Sequence, residues 1–262
     1  MLPPAPAEGP RLAPLPPVVG HRGACAHAPE NTLAGLSAAA ALGVGAVEFD
    51  VRLSRDRACV LIHDADLART TDGSGAVGAH DLAQLKTLDA GAWFNPRFTG
   101  ERIPTLAEAL ALCVRLGLRA SLDVKSERGE ERSVAAAVCA ELRALGEGAA
   151  CVAIVSSLRR VCLQTVRLEM PELPLAVVLR WGMFGRAMST AHELDCIAVH
   201  IRSQRMNARM AATVKAAGLW LGVFTVKDPA RAAALMEAGV DYLFSDAPDR
   251  IMPTPQVAAG SN

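Results

Sequence analysis

Residues 106–125, LAEALALCVRLGLRASLDVK, carry the pattern of a helix, a turn and a strand in succession. Apolar residues recur at three- and four-residue intervals over Leu106–Leu116, which is the spacing of a helix with one buried face. Gly117 follows at the position where glycine often ends a helix. The short apolar run Leu118–Val124 then predicts a buried strand. The stretch is therefore one helix–strand repeat of an α/β protein.

This repeat recurs along most of the chain, and short β-branched runs alternate with Ala- and Leu-rich helical stretches, as in βα units around a parallel sheet. The predicted helices are Thr32–Leu42, Leu106–Leu116, Glu130–Leu145, Asn207–Ala217 and Pro229–Glu237. The eight predicted strands are Val18–Gly20, Ala46–Val51, Leu118–Val124, Cys151–Ser156, Leu175–Leu179, Cys196–Ile201, Leu219–Phe224 and Tyr242–Ser245. A length of 262 residues suits one α/β domain, and we predict a TIM (β/α)8 barrel.

Four segments depart from this alternation. Residues 1–17 contain seven prolines and predict an extended arm, whereas 252–262 form a tail beyond the single predicted domain, 18–251. Cys59–His63 follows the second strand after a turn too short for a parallel crossover, so it predicts an antiparallel return. The Gly-rich and aromatic stretch at about 66–104 predicts a small insertion after the second strand.

Composition narrows the class of partner. Lysine and arginine number 27 against 27 aspartate and glutamate, so no excess charge attracts nucleic acid or an anionic membrane. No apolar run approaches the roughly 20 residues that a membrane span requires, and the Pro-rich start does not resemble a secretion signal. The seven cysteines contain no C-x-x-C pair, which favours reduced thiols. We therefore expect a cytoplasmic protein with a small-molecule partner and no stable membrane insertion.

Acidic residues occupy positions where barrels carry their chemistry, at the C-terminal ends of strands. Glu48 and Asp50 alternate with apolar residues along the second strand, so both carboxylates lie on one face. Burying two like charges together is costly unless a cation neutralises them, which favours a divalent ion. Asp123 and Lys125 share a face at the end of the third barrel strand. An all-oxygen ligand set would suit Mg²⁺ or Ca²⁺.

Two histidines and an arginine converge on the same rim. His21 and Arg22 follow the first strand directly, and His63 ends the antiparallel return. Such a set matches the needs of phosphodiester cleavage, because one histidine can accept a proton while the other donates one to the leaving group. Arg22 and Lys125 can offset negative charge on a phosphoryl group, as substrate-binding residues. The sequence does not say which histidine is the acid.

Structural roles are the alternatives for each of these residues. A histidine that follows a strand is often held by hydrogen bonds alone. Glu48 and Asp50 can instead cap a neighbouring helix or pair with Arg22 in a buried salt bridge, and Lys125 can be a structural ion-pair partner. Asp123 can serve only to orient Lys125. Asp246, after the last strand, is expected to hold a loop rather than to catalyse.

The ordered motifs resemble those of the glycerophosphodiester phosphodiesterases, especially the short cytosolic bacterial type. The likeness runs from Val18 to about Ile251 through HRG at His21, PENT at Pro29, EFDV at Glu48, LIHD ending at Asp64, LDVK ending at Lys125 and GVDYLFSDAPD near the C-terminus. The resemblance implies catalysis by His21 and His63 and a divalent metal at Glu48, Asp50 and Asp123. It also implies that the substrate's own glycerol hydroxyl attacks phosphorus and expels the alcohol of a small glycerophosphodiester. The cyclic phosphate so formed is then opened by water to give sn-glycerol 3-phosphate.

Two positions depart from the pattern of that family. Asp123 stands where the family usually has Glu, although the similar spider-venom-type sphingomyelinases D use Asp in a comparable place. Phe224, expected to contact substrate, stands where relatives often carry Trp, so an apolar face is kept while an indole donor is lost.

Other functions stay open on the sequence. A phospholipase C- or D-like enzyme of the same barrel type would act on intact phospholipids, and a non-catalytic barrel would bind phosphorylated metabolites without turnover. An aldolase or isomerase barrel would need a Schiff-base lysine or an enolate-stabilising set, which paired histidines fit less well. Head-group preference and oligomeric state are not determined by the sequence.

Overall fold

The computed structural model describes residues 15–179 and 182–252, and these contain nine β-strands. The strands are β1 (Val18–His21), β2 (Ala46–Leu53), β3 (Cys59–Leu61), β4 (Arg119–Val124), β5 (Val152–Ser157), β6 (Leu175–Val178), β7 (Ala198–Arg202), β8 (Trp220–Phe224) and β9 (Tyr242–Ser245). Eight of them pair in parallel in the order β1-β9-β8-β7-β6-β5-β4-β2, and β2 pairs again with β1. The sheet therefore closes, which confirms the predicted TIM barrel.

Helices lie between the barrel strands. They are α1 (Leu33–Ala41), α2 (Leu82–Leu85), α3 (Leu106–Leu116), α4 (Glu131–Leu145), α5 (Arg160–Glu169), α6 (Phe184–Glu193), α7 (Ala208–Ala216) and α8 (Pro229–Glu237). All five predicted helices are present within one residue of the expected bounds, whereas α2, α5 and α6 were not among them. Within residues 15–179 and 182–252, no helix is both long and apolar enough to cross a membrane.

Capping explains where α3 begins and ends. The Thr105 hydroxyl accepts a hydrogen bond from the Glu108 amide, and the Glu108 carboxylate accepts one from the Thr105 amide. This reciprocal pair satisfies two amides that the first turn leaves without a helical partner. Gly117 ends the helix at φ 66°, a left-handed conformation that glycine adopts without steric cost.

Alternation along each strand separates two apolar layers. On β2, Val47, Phe49 and Val51 are fully buried in the large cluster between the strands and the surrounding helices. Ala46 faces the opposite way, into a second cluster that includes Tyr242 and fills the barrel interior. Because side chains alternate between the two faces of a strand, Glu48 and Asp50 follow Ala46 toward the barrel axis.

The hairpin return is confirmed, since β3 pairs antiparallel with β2. It is shorter than expected, because regular pairing ends at Leu61 and His63 lies in the loop beyond it. Residues 62–105 then carry a separate apolar cluster that includes Leu67, Val77 and Ile103. Most of the predicted N-terminal arm and nearly all of the predicted C-terminal tail lie outside the described residues.

Candidate active site

The HRG turn brings its polar side chains to the barrel mouth at the end of β1. Gly23 has φ 87°, and a Cβ atom there would lie 2.5 Å from the Gly35 carbonyl on α1, so only glycine fits. The tight turn lets the backbone amide of Arg22 donate a hydrogen bond to Glu48 Oε2 at 3.0 Å. The motif therefore fixes β1 against both α1 and β2.

Three carboxylates meet at the mouth, as the strand pattern predicted. Asp50 and Asp123 are register partners on β2 and β4, and Glu48 lies two residues earlier on β2. All three residues are buried, and each offers an oxygen within 4.8 Å of the other two. Burial and the charge of Asp50 raise the pKa of Glu48 above its usual range.

Two cationic side chains offset part of this negative charge. The Lys125 ammonium lies 3.0 Å from Asp50 Oδ1 and also pairs with Asp123, while Arg22 Nε lies 3.2 Å from Asp50 Oδ2. Burial alone would raise the pKa of Asp50, but Lys125 and Arg22 hold it below its usual range. Arg22 is shared with Glu30, at 2.7 Å, so the group of three carboxylates is only partly neutralised.

The donor set fits a hard divalent cation. Asp123 Oδ1 is a buried oxygen with no hydrogen-bond partner among the described residues, although it lies within the carboxylate group. An unpartnered buried acceptor is costly, and a cation beside it would satisfy that oxygen. Carboxylate oxygens of Glu48, Asp50 and Asp123 are also the ligand type that Mg²⁺ and Ca²⁺ prefer.

His21 is held from behind by a carboxylate. Its Nδ1 lies 2.6 Å from Asp246 Oδ1, and its Nε2 lies 3.9 Å from Glu48 Oε2. Burial lowers the pKa of His21, but the hydrogen bond to Asp246 and the charge of Glu48 outweigh it, so the pKa lies above the ordinary value. An ionised Asp246 accepts only, so Nδ1 of His21 carries the proton and Nε2 faces the site.

His63 has a matching carboxylate partner. Its Nδ1 donates to Asp64 Oδ1 at 2.6 Å, and the other Asp64 oxygen accepts from Arg69 Nε at 2.5 Å. Arg69 also donates twice to Glu30, at 2.8 Å each, and Glu30 accepts from Arg22. Burial together with the charge of Arg22 lowers the pKa of His63, against the opposing effect of Asp50.

One open cavity of about 1340 Å³ brings the predicted residues together. Its lining includes all eight residues selected from the sequence, namely His21, Arg22, Glu48, Asp50, His63, Asp123, Lys125 and Phe224. Phe224 lies at the end of β8, is half-buried and lines the cavity. The carboxylates therefore point into an accessible mouth rather than into a closed interior.

Comparison with known proteins identifies the family. The model of the glycerophosphoryl diester phosphodiesterase family matches residues 21–250. The chain belongs to this family. The membership confirms the resemblance and the predicted enzyme class, a phosphoric diester hydrolase.

Individual phosphodiesterases are similar over nearly their full length. The Bacillus subtilis (strain 168) protein YhdW is 36% identical over 90% of this chain and 96% of its own. A glycerophosphodiester phosphodiesterase of Caldanaerobacter subterraneus subsp. tengcongensis is 30% identical over 90% of this chain and 96% of its own. A phosphodiesterase of Oleispira antarctica, solved in complex with the product sn-glycerol-3-phosphate, is 35% identical, covers 90% of this chain and 95% of its own, and gives a TM-score of 0.85.

Sequence reasoning missed three residues that hold this family member's site in place. Asp246 was expected only to hold a loop, yet it accepts from His21 and from the Cys25 thiol and pairs with Lys227 at 2.7 Å. Asn31 donates to Asp50 Oδ2 at 2.9 Å and accepts from the Asp50 amide at 3.0 Å. Arg69 reaches His63 through Asp64. Asn31 lies in the PENT motif and Asp246 in the GVDYLFSDAPD motif, but neither motif states a partner, and no motif marks Arg69.

Proposed function

We propose that the protein hydrolyses glycerophosphodiesters to sn-glycerol 3-phosphate and an alcohol, with His21 and His63 as general acid and base and with a divalent cation. The observation that carries the proposal is the arrangement of the two histidines around one carboxylate group. Both present Nδ1 to a carboxylate and line the same cavity as Glu48, Asp50 and Asp123. This is the geometry that proton transfer on either side of a phosphoryl group requires.

Each protein group has a role in the proposed reaction. One histidine accepts the proton of the attacking glycerol hydroxyl at its free Nε2, and the other donates a proton to the leaving alkoxide, so that the alcohol departs and a cyclic phosphate forms. Water then opens this ring, with the two histidines exchanging roles, and gives sn-glycerol 3-phosphate. Asp246 and Asp64 keep both rings in the tautomer that leaves Nε2 for the substrate. Arg22 and Lys125 face the phosphoryl oxygens and offset the charge that builds on them.

Glu48, Asp50 and Asp123 would hold the cation, Mg²⁺ or Ca²⁺. When bound, it supplies Lewis-acid polarisation of a phosphoryl oxygen. Asn31 orients Asp50 through two hydrogen bonds, and the Lys125 ammonium pairs with both Asp50 and Asp123. Phe224 offers an apolar surface to the substrate carbons at the cavity wall.

The alternative functions gain no support from the relatives. The family model and the solved phosphodiesterase with bound sn-glycerol-3-phosphate favour a glycerophosphodiester over an intact phospholipid. The paired histidines, each with its own carboxylate, favour turnover over simple binding.

Turnover of glycerophosphocholine tests the proposal. Purified protein would be incubated with it under Mg²⁺, Ca²⁺ or chelator, and sn-glycerol 3-phosphate and choline would be measured separately. We expect equal amounts of both products with metal and almost none in chelator. His21→Ala and His63→Ala should each lower kcat by roughly 10²- to 10⁴-fold, because each removes a proton-transfer group.

His192→Ala is the matched control, since this exposed histidine of α6 does not line the cavity. It should keep full activity. Unchanged turnover in chelator would reject the metal, and full activity in both catalytic-histidine variants would reject the acid–base assignment. Release of choline phosphate would place the cut on the other side of phosphorus.

A further inference from the structure

The barrel mouth is electrostatically divided between two opposite strands. In the closed ring, β7 lies four strands away from β2 in either direction, so the two strands face each other across the mouth. β2 carries Glu48 and Asp50, whereas β7 ends in Arg202. Both ends line the same cavity. A substrate that spans this cavity meets carboxylates at one end and a guanidinium at the other.

Arg202 is placed to face the cavity by strand geometry. Ala198, His200 and Arg202 alternate along β7, and Ala198 belongs to the cluster inside the barrel. Side chains two residues apart share a face, so Arg202 lies above His200 on the inner side. It is exposed to the cavity, and among the described residues no carboxylate pairs with it. Its charge is therefore available to a ligand.

The neighbourhood of Arg202 is net positive. Beyond the catalytic group, the charged residues that line the cavity are the basic Arg202, Arg205, Lys227 and Arg231 and the acidic Asp228 and Asp246, which leaves a net charge of +2. Asp246 pairs with Lys227 and His21, and the Asp228 carboxylate caps α8 by accepting from the Arg231 amide. Lys227 and Asp246 offset each other, and the basic residues Arg202, Arg205 and Arg231 outnumber the remaining acidic one, Asp228, so the arc stays net positive.

The cavity has room for more than the reacting phosphate. Its volume of about 1340 Å³ exceeds the range of about 300–1,000 Å³ that is typical for a drug-sized ligand. The glycerol arm of the substrate is short and uncharged, so the basic arc is available to the other arm, the head group. Gln204, exposed beside Arg202, adds both a donor and an acceptor for hydroxyl groups.

We infer that the arc around Arg202 is a head-group subsite for an anionic polyol, a head group that carries its own phosphate, and that it disfavours a quaternary ammonium. The inference rests on the proposed function. A guanidinium recognises phosphate by paired, charge-assisted hydrogen bonds. A choline head group would instead bring a cation toward Arg202 and Arg231, and like charges at close range are repulsive.

Competing substrates test the inference through turnover. The initial rate of sn-glycerol 3-phosphate release would be measured with 1,3-bis(glycerophospho)glycerol and with glycerophosphocholine. We expect kcat/KM for the bis-phosphodiester, divided by its two equivalent diesters, to exceed that for glycerophosphocholine by about 10-fold. Arg202→Gln should lower this ratio by about 10-fold, and Arg202→Lys should retain most of it. Glycerophosphoglycerol, which lacks the second phosphate, should fall between the two.

Arg209→Gln is the matched control, because Arg209 is an exposed arginine on α7 that does not line the cavity. It should leave the ratio unchanged. The inference is overturned if wild type prefers glycerophosphocholine, or if Arg202→Gln lowers kcat/KM for all three substrates by the same factor.

A binding measurement separates this inference from the proposed function. His63→Ala would be titrated calorimetrically with the intact bis-phosphodiester and with glycerophosphocholine, which requires no turnover. A Kd about 10-fold lower for the bis-phosphodiester, lost in the His63→Ala, Arg202→Gln double variant, supports the subsite even if no diester is hydrolysed. Equal Kd values would reject the subsite while leaving the hydrolase proposal intact.

Discussion

His21 and His200 both lie on barrel strands and both face the barrel axis, yet their surroundings differ. His21 sits at the mouth, where Asp246 and Glu48 flank its two ring nitrogens. His200 sits one layer below, where its Nε2 lies 2.9 Å from the Tyr242 hydroxyl and its ring packs edge-on against Tyr242 and Phe244. Neighbouring carboxylates raise the pKa of His21 despite its burial, whereas burial lowers the pKa of His200 to about 3.

The difference shows that burial alone does not give a histidine a chemical role. A buried histidine without a carboxylate stays neutral and contributes packing and one hydrogen bond, as His200 does. A buried histidine with a carboxylate behind it can hold or release a proton at a defined nitrogen, as His21 can. The mouth and the floor of this barrel follow the same strand alternation. The hydrogen-bond partners of each histidine decide in which layer a histidine can transfer protons.

Removing a carboxylate of the mouth should have the largest effect. Asp50→Asn leaves Lys125 and Arg22 without their shared anion and removes one of the proposed cation ligands. We expect kcat/KM to fall by roughly 10³-fold or more, because the site loses several kcal/mol of transition-state stabilisation. Turnover of glycerophosphocholine at saturating Mg²⁺ measures it. Glu172→Gln neutralises an exposed carboxylate outside the cavity and is the control, with an unchanged kcat/KM expected.

The support behind His21 should matter next. Asp246→Asn keeps the shape but turns the acceptor into an amide that can donate to Nδ1 and favour the wrong tautomer. We expect kcat to fall by roughly 10²-fold with little change in KM. Cys25→Ala removes the thiol that also donates to Asp246 Oδ1, and we expect it to lower kcat by less than about 3-fold. Equal losses in both variants would show that the loop, rather than the tautomer, depends on Asp246.

The corresponding support behind His63 is shared with the segment that follows β3. Arg69→Gln removes three hydrogen bonds, one to Asp64 and two to Glu30. Because Asp64 and Glu30 stay in place, we expect kcat to fall by roughly 10-fold rather than 100-fold. Arg55→Gln breaks an exposed pair with Asp81 in the same region and is the control, with an expected loss below about 2-fold. If Arg69→Gln also lowered kcat by less than about 2-fold, Asp64 would hold His63 without the hydrogen bond from Arg69.

The free energy of unfolding should depend on pH because of His200 in the floor of the barrel. Because the pKa of His200 is lowered to about 3, the unfolded chain takes up a proton near pH 6.5 that the folded chain does not. The stabilisation that the neutral His200 gives to the folded state is therefore complete above pH 6.5. It is lost progressively as the pH falls from there toward 3. Between pH 7 and 5.5 this amounts to about 1 kcal/mol of unfolding free energy.

Urea unfolding at pH 7 and pH 5.5 measures that contribution. His200→Gln keeps a side chain able to bond Tyr242 but does not titrate, so the difference between the two pH values should shrink by about 1 kcal/mol relative to wild type. The comparison uses the difference within each protein, so a general loss of stability in the variant does not obscure it. An unchanged difference would mean that His200 takes up a proton in the folded state.

Much of the site followed from the sequence because its residues lie on regular strands. Glu48 and Asp50 on β2, and Asp123 with Lys125 at the end of β4, were placed on one face by a period of two. His63 was predicted at the end of a hairpin strand, but it lies in a loop, and only the fold shows that this loop returns it to the same cavity. Alternation reports the face of a strand and says nothing about a loop.

The sequence by itself determined the number of barrel strands, their order along the chain and the inward carboxylates, because these depend on local periodicity. Only the tertiary structure decided that Asp246 supports His21, 225 positions away, that Arg69 supports His63 through Asp64, and that Arg202 lies across the mouth from Glu48. These placements depend on the pairing of β9 with β1, which closes the barrel, and on the positions of β2 and β7 on opposite sides of it. No short-range pattern encodes such closure.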